Sequence, residues 1–239
     1  MRVLITRPEP DAASEAELIA ARGHQPVLTP LLEIEFVNAA IPLAGAQGVV
    51  VTSRNALRAL AAHPDLGAAL RLPLYAVGEA TAEAASELGF ADVVAGPGGA
   101  AALARLIARE VAPERGSLVH LAGETLAFDL EAALGTHGFT VRKAVLYRAV
   151  PAEALPPEAV ALIASGRPKG VVLMSPRTAQ TFAALIAKHG LVTQAKSLVC
   201  YCLSETVADA VAPLGYEIRV AARPREEDIL ALLDAETAS

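Results

Sequence analysis

The sequence predicts an α/β protein made of two similar parallel-sheet units, and an internal repeat is the main reason. The segment GVVVTSRNALRAL (Gly48–Leu60) returns as GVVLMSPRTAQTF (Gly170–Phe182), and LYAVGEATAEAASELGF (Leu74–Phe90) returns as VCYCLSETVADAVAPLGY (Val199–Tyr216). Each copy runs from an apolar strand through Ser, Thr or Gly into a helix. Strands that alternate with helices of about 10–15 residues are typical of parallel, doubly wound sheets.

A first half-unit opens the chain. It consists of a short strand (Val3–Ile5), the turn Thr6-Arg7-Pro8, an Ala-rich helix that Gly23 ends, and an extended stretch around Val27–Phe36. The same order returns later in the chain as the strand Leu118–Leu121, the turn Ala122-Gly123-Glu124, a helix, Gly138, and a strand that runs to Val150.

A second half-unit contains three strand-to-helix steps. They are Val49–Val51 into Ser53, Tyr75–Val77 into Gly78, and Asp92–Ala95 into Gly96-Pro97-Gly98-Gly99. Its copy contains Val171–Met174 into Ser175, Cys200–Leu203 into Ser204, and Glu217–Val220 into Arg223-Pro224. The half-units therefore follow one another as first, second, first, second.

Two strand-rich segments cross between half-units, Glu33–Leu43 and Tyr147–Pro157. Two such crossings predict a paired hinge, and they allow two arrangements. The domains are either sequential, or interleaved so that the N-terminal half-unit packs with the C-terminal one. Spacing along the chain leaves this choice open.

The composition limits the classes of function. Of the 239 residues, 54% are hydrophobic but only 4% are aromatic, so the core must consist mainly of Ala, Val and Leu. The net charge of −6 and the scattered basic residues argue against nucleic-acid binding. No apolar run is long enough for a membrane span, and the apolar run after Met1 is too short for a signal peptide. We expect a cytoplasmic protein without a membrane partner.

Cysteine usage agrees with a reducing compartment. Cys200 and Cys202 lie two residues apart on one apolar strand. We expect the two side chains to point to opposite faces of the sheet, to be buried and to remain unbridged.

The strand-to-helix turns are the candidate binding groups. Ligands of open parallel sheets bind beyond the carboxyl ends of the strands, where helix N-termini attract anions. If the two sheets face each other, the turns line a cleft from both sides and favour a small ligand with several carboxylates or phosphates. For any one turn, simple helix capping explains the same residues. The repetition at one edge favours a binding function.

The sequence gives little support for a nucleotide-binding site, a catalytic serine or a metal site. Gly96-Pro97-Gly98-Gly99 is not a dinucleotide fingerprint, and the sequence contains neither a GxxxxGK[ST] phosphate loop nor a GxSxG elbow. The five histidines do not have metal-ligand spacing, and His120, inside an apolar strand, is interpreted as a hydrogen-bonded core or edge histidine. Tyr147 ends a strand at a crossing, either as a half-exposed strand residue or as a cleft residue whose hydroxyl could donate a proton.

The ordered set of segments resembles the uroporphyrinogen-III synthase (HemD) family. The matching segments include VLITRPEPDAASEAELIAARGHQPVLTPLLEI, VVVTSRNALRAL, LYAVGEATAEAASELGF, VVAGP, VRKAVLYRAV, VVLMSPRTAQTF and DILALL. The resemblance implies two flavodoxin-like parallel-sheet domains joined by a two-stranded β-ladder, with interleaved connectivity. Domain one would comprise residues 1–34 and 151–239 and domain two residues 38–146, with hinge strands at 35–37 and 147–150.

The resemblance also implies an activity in haem (porphyrin) biosynthesis. A synthase of this family is a cyclising lyase that converts the linear tetrapyrrole hydroxymethylbilane to uroporphyrinogen III, with loss of water and inversion of ring D through azafulvene and spiro intermediates. It uses no metal or organic cofactor. We expect a monomer that receives its substrate by transient hand-over from the bilane-forming enzyme. The alternative is a two-domain sensor that binds a polycarboxylate tetrapyrrole without converting it.

The resemblance assigns roles to nine residues of this chain. Tyr147 would donate to the departing hydroxyl, and Arg7 would be a cation at the cleft. The expected carboxylate-binding residues are Thr52, Ser53, Arg54, Gly78, Thr81, Ser175 and Thr206. Many relatives have an Arg before the Gly of the central turn, where this chain has Ala122, so we expect no carboxylate binding there.

Overall fold

A computed structural model describes residues 1–237 of the chain and divides it into two compact units. Unit 1 combines residues 1–33 with the chain from Val150 onward, and unit 2 is the continuous stretch Ile34–Ala149. Both are α/β, as the sequence predicts. Among the described residues, no helix combines the length and apolarity that crossing a membrane requires.

Unit 1 contains one sheet of five strands, all paired in parallel, in the order β11-β10-β9-β1-β2. Its strands are β1 (Arg2–Ile5), β2 (Gln25–Leu28), β9 (Gly170–Leu173), β10 (Val199–Cys202) and β11 (Glu217–Val220). Its helices are α1 (Asp11–Ala20), α7 (Pro157–Ala164), α8 (Pro176–Lys188), α9 (Val192–Ala195), α10 (Glu205–Asp209) and α11 (Glu226–Thr237).

Unit 2 contains the second sheet, in the order β3-β8-β7-β4-β5-β6. Its strands are β3 (Leu32–Phe36), β4 (Ala46–Val51), β5 (Leu74–Ala76), β6 (Val93–Ala95), β7 (Ser117–Gly123) and β8 (Val141–Pro151). Its helices are α2 (Arg54–Ala61), α3 (Leu66–Ala69), α4 (Glu79–Leu88), α5 (Ala100–Glu110) and α6 (Leu130–Gly135). The strands from β8 to β6 pair in parallel.

Both crossings between the half-units are strands, and they are neighbours in the sheet. These strands are β3 and β8, and each begins in one unit and ends in the other. The Val37 N–H donates to the Leu146 carbonyl at 2.7 Å. The predicted two-stranded ladder is therefore present.

The register of the parallel pairs decides between the two arrangements that the sequence left open. In unit 1, Ile5 of the first half-unit lies opposite Val172 of the second copy. In unit 2, His120 lies opposite Val50 in the same way. The first half-unit of each copy thus pairs with the second half-unit of the other copy. The connectivity is interleaved, and the predicted fold class is confirmed.

Each sheet has an apolar cluster on both of its faces, built mainly from aliphatic side chains. Cys200 and Cys202 belong to the same cluster and are unbridged. The expectation that they face opposite sides is wrong, because residues two apart on a strand share a face. Burial raises the pKa of both thiols to about 12, so they are protonated and unreactive.

A tyrosine packs over a glycine at the same place in both sheets. In unit 1, a methyl group at Gly170 would lie 2.5 Å from Cε2 of Tyr201, and in unit 2 one at Gly48 would lie 2.8 Å from Cε2 of Tyr75. Tyr201 is fully buried, whereas Tyr75 is partly exposed. Both sheets therefore contain the same tyrosine–glycine contact, but only the Tyr75 ring can move toward solvent.

A buried carboxyl group lies on α1. Glu15 is fully buried, and neither of its side-chain oxygens has a hydrogen-bond partner among residues 1–237. Burial raises its pKa from 4.5 to about 7, the positive charge of Arg7 opposes this shift, and Glu226 and Asp11 add to it. Glu15 is therefore a carboxyl group that the folded state prefers to keep protonated.

We predict that Gly170→Ala lowers the free energy of unfolding by about 2–3 kcal/mol, because the new methyl group overpacks a side chain that cannot move into solvent. Gly48→Ala should cost less, since Tyr75 can shift outward. Urea unfolding followed by circular dichroism measures both. Gly67→Ala is the control, because within residues 1–237 a methyl group there meets no atom within 4 Å outside its own helix backbone and chain neighbours. Equal losses at Gly170 and Gly67 would contradict the packing argument.

We predict that Glu15→Gln stabilises the protein above neutral pH. The folded pKa of Glu15 lies above its unfolded value, so wild-type stability decreases as the pH rises from about 4.5 to about 7 and the loss is complete above that range. The variant should gain about 3 kcal/mol at pH 8.5 but less than about 1 kcal/mol at pH 5. Glu17→Gln, at an exposed position of the same helix, is the control. A gain that does not depend on pH would refute this account.

Candidate functional site

The predicted turns of unit 2 follow neighbouring strands at the carboxyl edge of the sheet. The Val77 N–H donates to the Val51 carbonyl at 3.0 Å, so the turns after β4 and β5 begin side by side. A methyl group at Gly78 would come within 3.3 Å of the Gly98 Cα, which brings the turns after β5 and β6 together as well. The edge expected from the sequence therefore exists as a continuous series of helix N-termini.

The turn after β4 contains Thr52, Ser53 and Arg54. Ser53 caps α2 and accepts a hydrogen bond from the Asn55 N–H at 3.2 Å, as the capping interpretation predicts. Its hydroxyl proton is not used by that bond and can be donated to a ligand. Arg54 lines a cavity of about 400 Å³ between α2 and α4 that also contains Glu87.

The next turn exposes backbone more than side chain. Helix α4 begins after Gly78, whose lack of a side chain leaves the first turn of that helix without a side-chain cap. Thr81 is only 7% exposed, and its N–H donates to the Gly78 carbonyl. Backbone N–H groups of this turn are therefore better placed for an anion than the Thr81 side chain.

Tyr147 lies on β8, at the same edge of the sheet. Its ring occupies the space over Gly123, where a methyl group would lie 2.7 Å from Cζ and 2.9 Å from the hydroxyl oxygen. The Glu124 N–H donates to the Tyr147 carbonyl at 2.9 Å, which holds the turn after β7 against β8. Gly123 thus positions the tyrosine ring, a contact that the sequence did not reveal.

Three predicted residues lie at the corresponding edge of unit 1. Arg7 follows β1 and forms ion pairs with Glu226 at 2.7 Å and with Asp11 at 3.4 Å. Ser175 follows β9, caps α8, and accepts from the Thr178 N–H at 3.1 Å.

Thr206 is the third of them and follows β10. It is exposed on the first turn of α10. In the described part of the chain, the N-cap residue of that helix, Ser204, makes no side-chain capping bond. Arg7 is the cation among these three residues, and its charge is balanced by carboxylates of its own unit.

His120 is the polar residue that the sequence assigned to the core. It is 1% exposed, yet its Nε2 lies 3.3 Å from the hydroxyl oxygen of Thr52. Burial and then the ammonium of Lys143 lower its pKa to about 4. The imidazole is therefore neutral at physiological pH and cannot act as a cationic ligand for carboxylates.

Two other histidines have structural contacts. The Nε2 atom of His63 lies 3.0 Å from the Ala39 carbonyl, and Nε2 of His189 accepts from the Leu155 N–H at 3.1 Å. Over residues 1–237, no group of three or more His, Cys, Asp or Glu side chains is arranged to hold a metal ion.

Most groups at these edges are neutral hydrogen-bond donors, namely hydroxyls, backbone N–H groups and one phenol. The predicted cations beside them are Arg54 in unit 2 and Arg7 in unit 1. Such groups suit the binding and orientation of a polyanion. The alternation of strands and helices, with Ser and Thr at the turns between them, made the hydroxyls predictable from the sequence. The contacts of His120 with Thr52 and of Gly123 with Tyr147 depend on strand register.

Comparison with known proteins supplies the family. A family model described as uroporphyrinogen-III synthase HemD matches residues 13–231. The fold is similar to that of uroporphyrinogen-III synthetase from Helicobacter pylori 26695, with a TM-score of 0.70 and 18% identity over 100% of this chain and 99% of that one. A triple mutant of uroporphyrinogen III synthase from the extremely thermophilic bacterium Thermus thermophilus gives a TM-score of 0.57 and 20% identity over 100% and 99% of the two chains. No curated protein sequence matches.

At these identities the two solved structures establish the fold alone, and the family model establishes the relationship in sequence. Its match begins within α1 and ends within α11, so it includes both units and both crossing strands. The chain belongs to the uroporphyrinogen-III synthase HemD family.

Proposed function

We propose that this protein is a uroporphyrinogen-III synthase, a cyclising hydro-lyase that converts hydroxymethylbilane to uroporphyrinogen III. The family match over residues 13–231 carries this proposal. The neutral donors at the carboxyl edges of both sheets support it, because the substrate is a flexible chain of pyrroles with many acetate and propionate groups. The family match favours this enzyme over the non-catalytic tetrapyrrole sensor.

The reaction needs little from a catalytic acid. The terminal C–O bond breaks, the hydroxyl leaves with one proton as water, and the electron-rich pyrrole becomes an azafulvene cation. The substituted carbon of ring D attacks the methylene of that cation and forms a spiro intermediate. The bond between the spiro carbon and the methylene that leads to ring C then breaks. That methylene bonds instead to the free carbon of ring D, which loses its proton, so the macrocycle closes with ring D inverted. Orientation of ring D decides the product, so positioning contributes more than acid or base strength.

Within this proposal Tyr147 donates a hydrogen bond to the departing hydroxyl. No hydrogen bond of its own hydroxyl is found within residues 1–237, so this donor is available to a ligand. A phenol is a weak acid, which suits a leaving group that departs almost unaided.

Substrate carboxylates are bound, in this proposal, by groups from each unit. Thr52, Ser53 and Arg54 serve in unit 2 together with the backbone at Gly78, and Ser175 and Thr206 serve in unit 1. Thr81 has a smaller part, because its side chain is nearly buried. Arg7 would have to leave Asp11 or Glu226 to bind a carboxylate, so its first role is to hold α1 to α11. Hand-over from the bilane-forming enzyme, a monomeric state and a cytoplasmic location stay predictions.

We predict that the purified protein converts freshly prepared hydroxymethylbilane to the type III isomer. The uncatalysed reaction closes ring D without inversion and gives type I, so the isomer ratio separates enzyme from background. Oxidation of the products to porphyrins and chromatography measure that ratio. Type I product alone, at the uncatalysed rate, would reject the proposed function. Tight binding of the tetrapyrrole without type III product would favour the sensor instead.

We predict that Tyr147→Phe lowers kcat at least tenfold and changes the affinity for uroporphyrinogen III less than twofold, because it removes only the hydroxyl. Steady-state kinetics and a product titration measure the two quantities. Equal losses in both would make Tyr147 a packing residue.

A variant of Gly123 tests whether this glycine positions the Tyr147 ring. Gly123→Ala should lower kcat because its methyl group displaces the Tyr147 ring. In the Tyr147→Phe background it should cause little further loss of kcat, because the hydroxyl that it misplaces is already absent. If the two substitutions each lowered kcat by their full factor in the double variant, Gly123 would not act through the Tyr147 hydroxyl.

A further inference from the structure

We propose that His120 is a positioning residue that holds the Thr52 hydroxyl as a hydrogen-bond donor toward a substrate carboxylate. This inference rests on the proposed function and adds to it a residue that does not touch the substrate. It depends on strand register, on the tautomer of a buried ring, and on a comparison between the two units.

Strand register places the two side chains on one face of the sheet. His120 of β7 lies opposite Val50 of β4, and Thr52 follows Val50 by two residues. Residues opposite one another on paired strands share a face, as do residues two apart on one strand. The imidazole Nε2 therefore reaches the Thr52 hydroxyl oxygen at 3.3 Å.

The surroundings keep the ring uncharged. On β8, Lys143 lies opposite His120 and forms an ion pair with Glu131 of α6 at 3.7 Å. The apolar cluster that includes Val50 also contains Leu103 of α5 and Leu130 of α6. Since the pKa of His120 is lowered to about 4, its imidazole carries a single ring proton at neutral pH.

The position of that one proton decides what Thr52 can do. Within residues 1–237, Nδ1 of His120 is buried without a hydrogen-bond partner, so Thr52 is the polar contact of the ring. With the proton on Nε2, the ring donates to the Thr52 oxygen and the hydroxyl proton is directed elsewhere. With the proton on Nδ1, the ring accepts the hydroxyl proton, and Thr52 can no longer donate it. A carboxylate at Thr52 accepts hydrogen bonds only, so it selects the Nε2–H tautomer.

The other unit shows that the fold does not require this pair. Ile5 lies opposite Val172 in unit 1, as His120 lies opposite Val50 in unit 2. Met174 follows Val172 by two residues and therefore occupies the place of Thr52. Ile5 belongs to the apolar cluster on that face, and Met174 packs against the same cluster. An apolar pair fills this place in one sheet, and an imidazole–hydroxyl pair fills it in the other.

The first test is kinetic and uses the residue that unit 1 supplies. His120→Ile should raise KM for hydroxymethylbilane about fivefold to tenfold, the effect of one hydrogen bond of about 1 kcal/mol, and change kcat less than twofold. His120→Gln retains an N–H donor near Thr52 and should change KM less than threefold. In the Thr52→Val background, His120→Ile should have almost no further effect. Equal KM values for the Ile and Gln variants, or independent effects in the double variant, would overturn the proposal.

The second test measures the tautomer of the His120 ring directly, and it does not depend on the activity of any variant. In ¹⁵N NMR of the wild-type protein with uroporphyrinogen III bound, the His120 ring should be neutral with its proton on Nε2, and His120→Gln identifies its signals by their loss. Thr52→Val should shift these signals. A proton on Nδ1 in the complex would overturn the proposal.

Failure of the proposed function is a separate result. It would appear as type I product alone from the wild-type protein. In that case a titration of uroporphyrinogen III replaces KM, and the same comparison of the Ile and Gln variants decides the role of His120.

Discussion

The parallel pairing of β1 with β9 and of β7 with β4 is the constraint on which the rest of the structure depends. Each pair joins half-units from different copies, so neither sheet can be assembled from one continuous repeat. The pairing places the turns after neighbouring strands at one edge. It also sets which side chains share a face. The contact between His120 and Thr52 follows from the register of β7 against β4. The packing of the Tyr147 ring over Gly123 follows from the neighbouring register of β8 against β7.

Much of the fold was predictable because buried parallel strands are short apolar runs and because turns begin with Ser, Thr or Gly. The strands around Val49 and Val171 are examples, and the capping of α2 by Ser53 is another. The choice between sequential and interleaved domains was not predictable from spacing. It depends on which strands pair, and strand pairing is a tertiary property that turn residues do not report.

The candidate site likewise contains residues that local sequence predicts and contacts that depend on strand pairing. The hydroxyls of Thr52 and Thr206 are visible in the sequence as residues of repeated turns. The near burial of Thr81, the ion pairs of Arg7 and the ring of Tyr147 over Gly123 arise from neighbours distant along the chain. His120 was interpreted as a core residue because it lies in an apolar strand. Its burial agrees with that interpretation, and only strand register shows that its hydrogen-bond partner is the turn residue Thr52.

The interleaved connectivity also orders events during synthesis. The Thr6 hydroxyl bonds to the Val172 carbonyl, 166 residues away along the chain. At about 5–20 residues per second, the ribosome needs roughly 10–30 s to supply that partner. Throughout this interval the apolar strand β1 lacks β9, whereas the continuous stretch Ile34–Ala149 is fully synthesised before β9 and can complete its own sheet first. An apolar strand without its β9 partner is exposed to aggregation, so β1 is a segment that chaperones would protect until β9 is made.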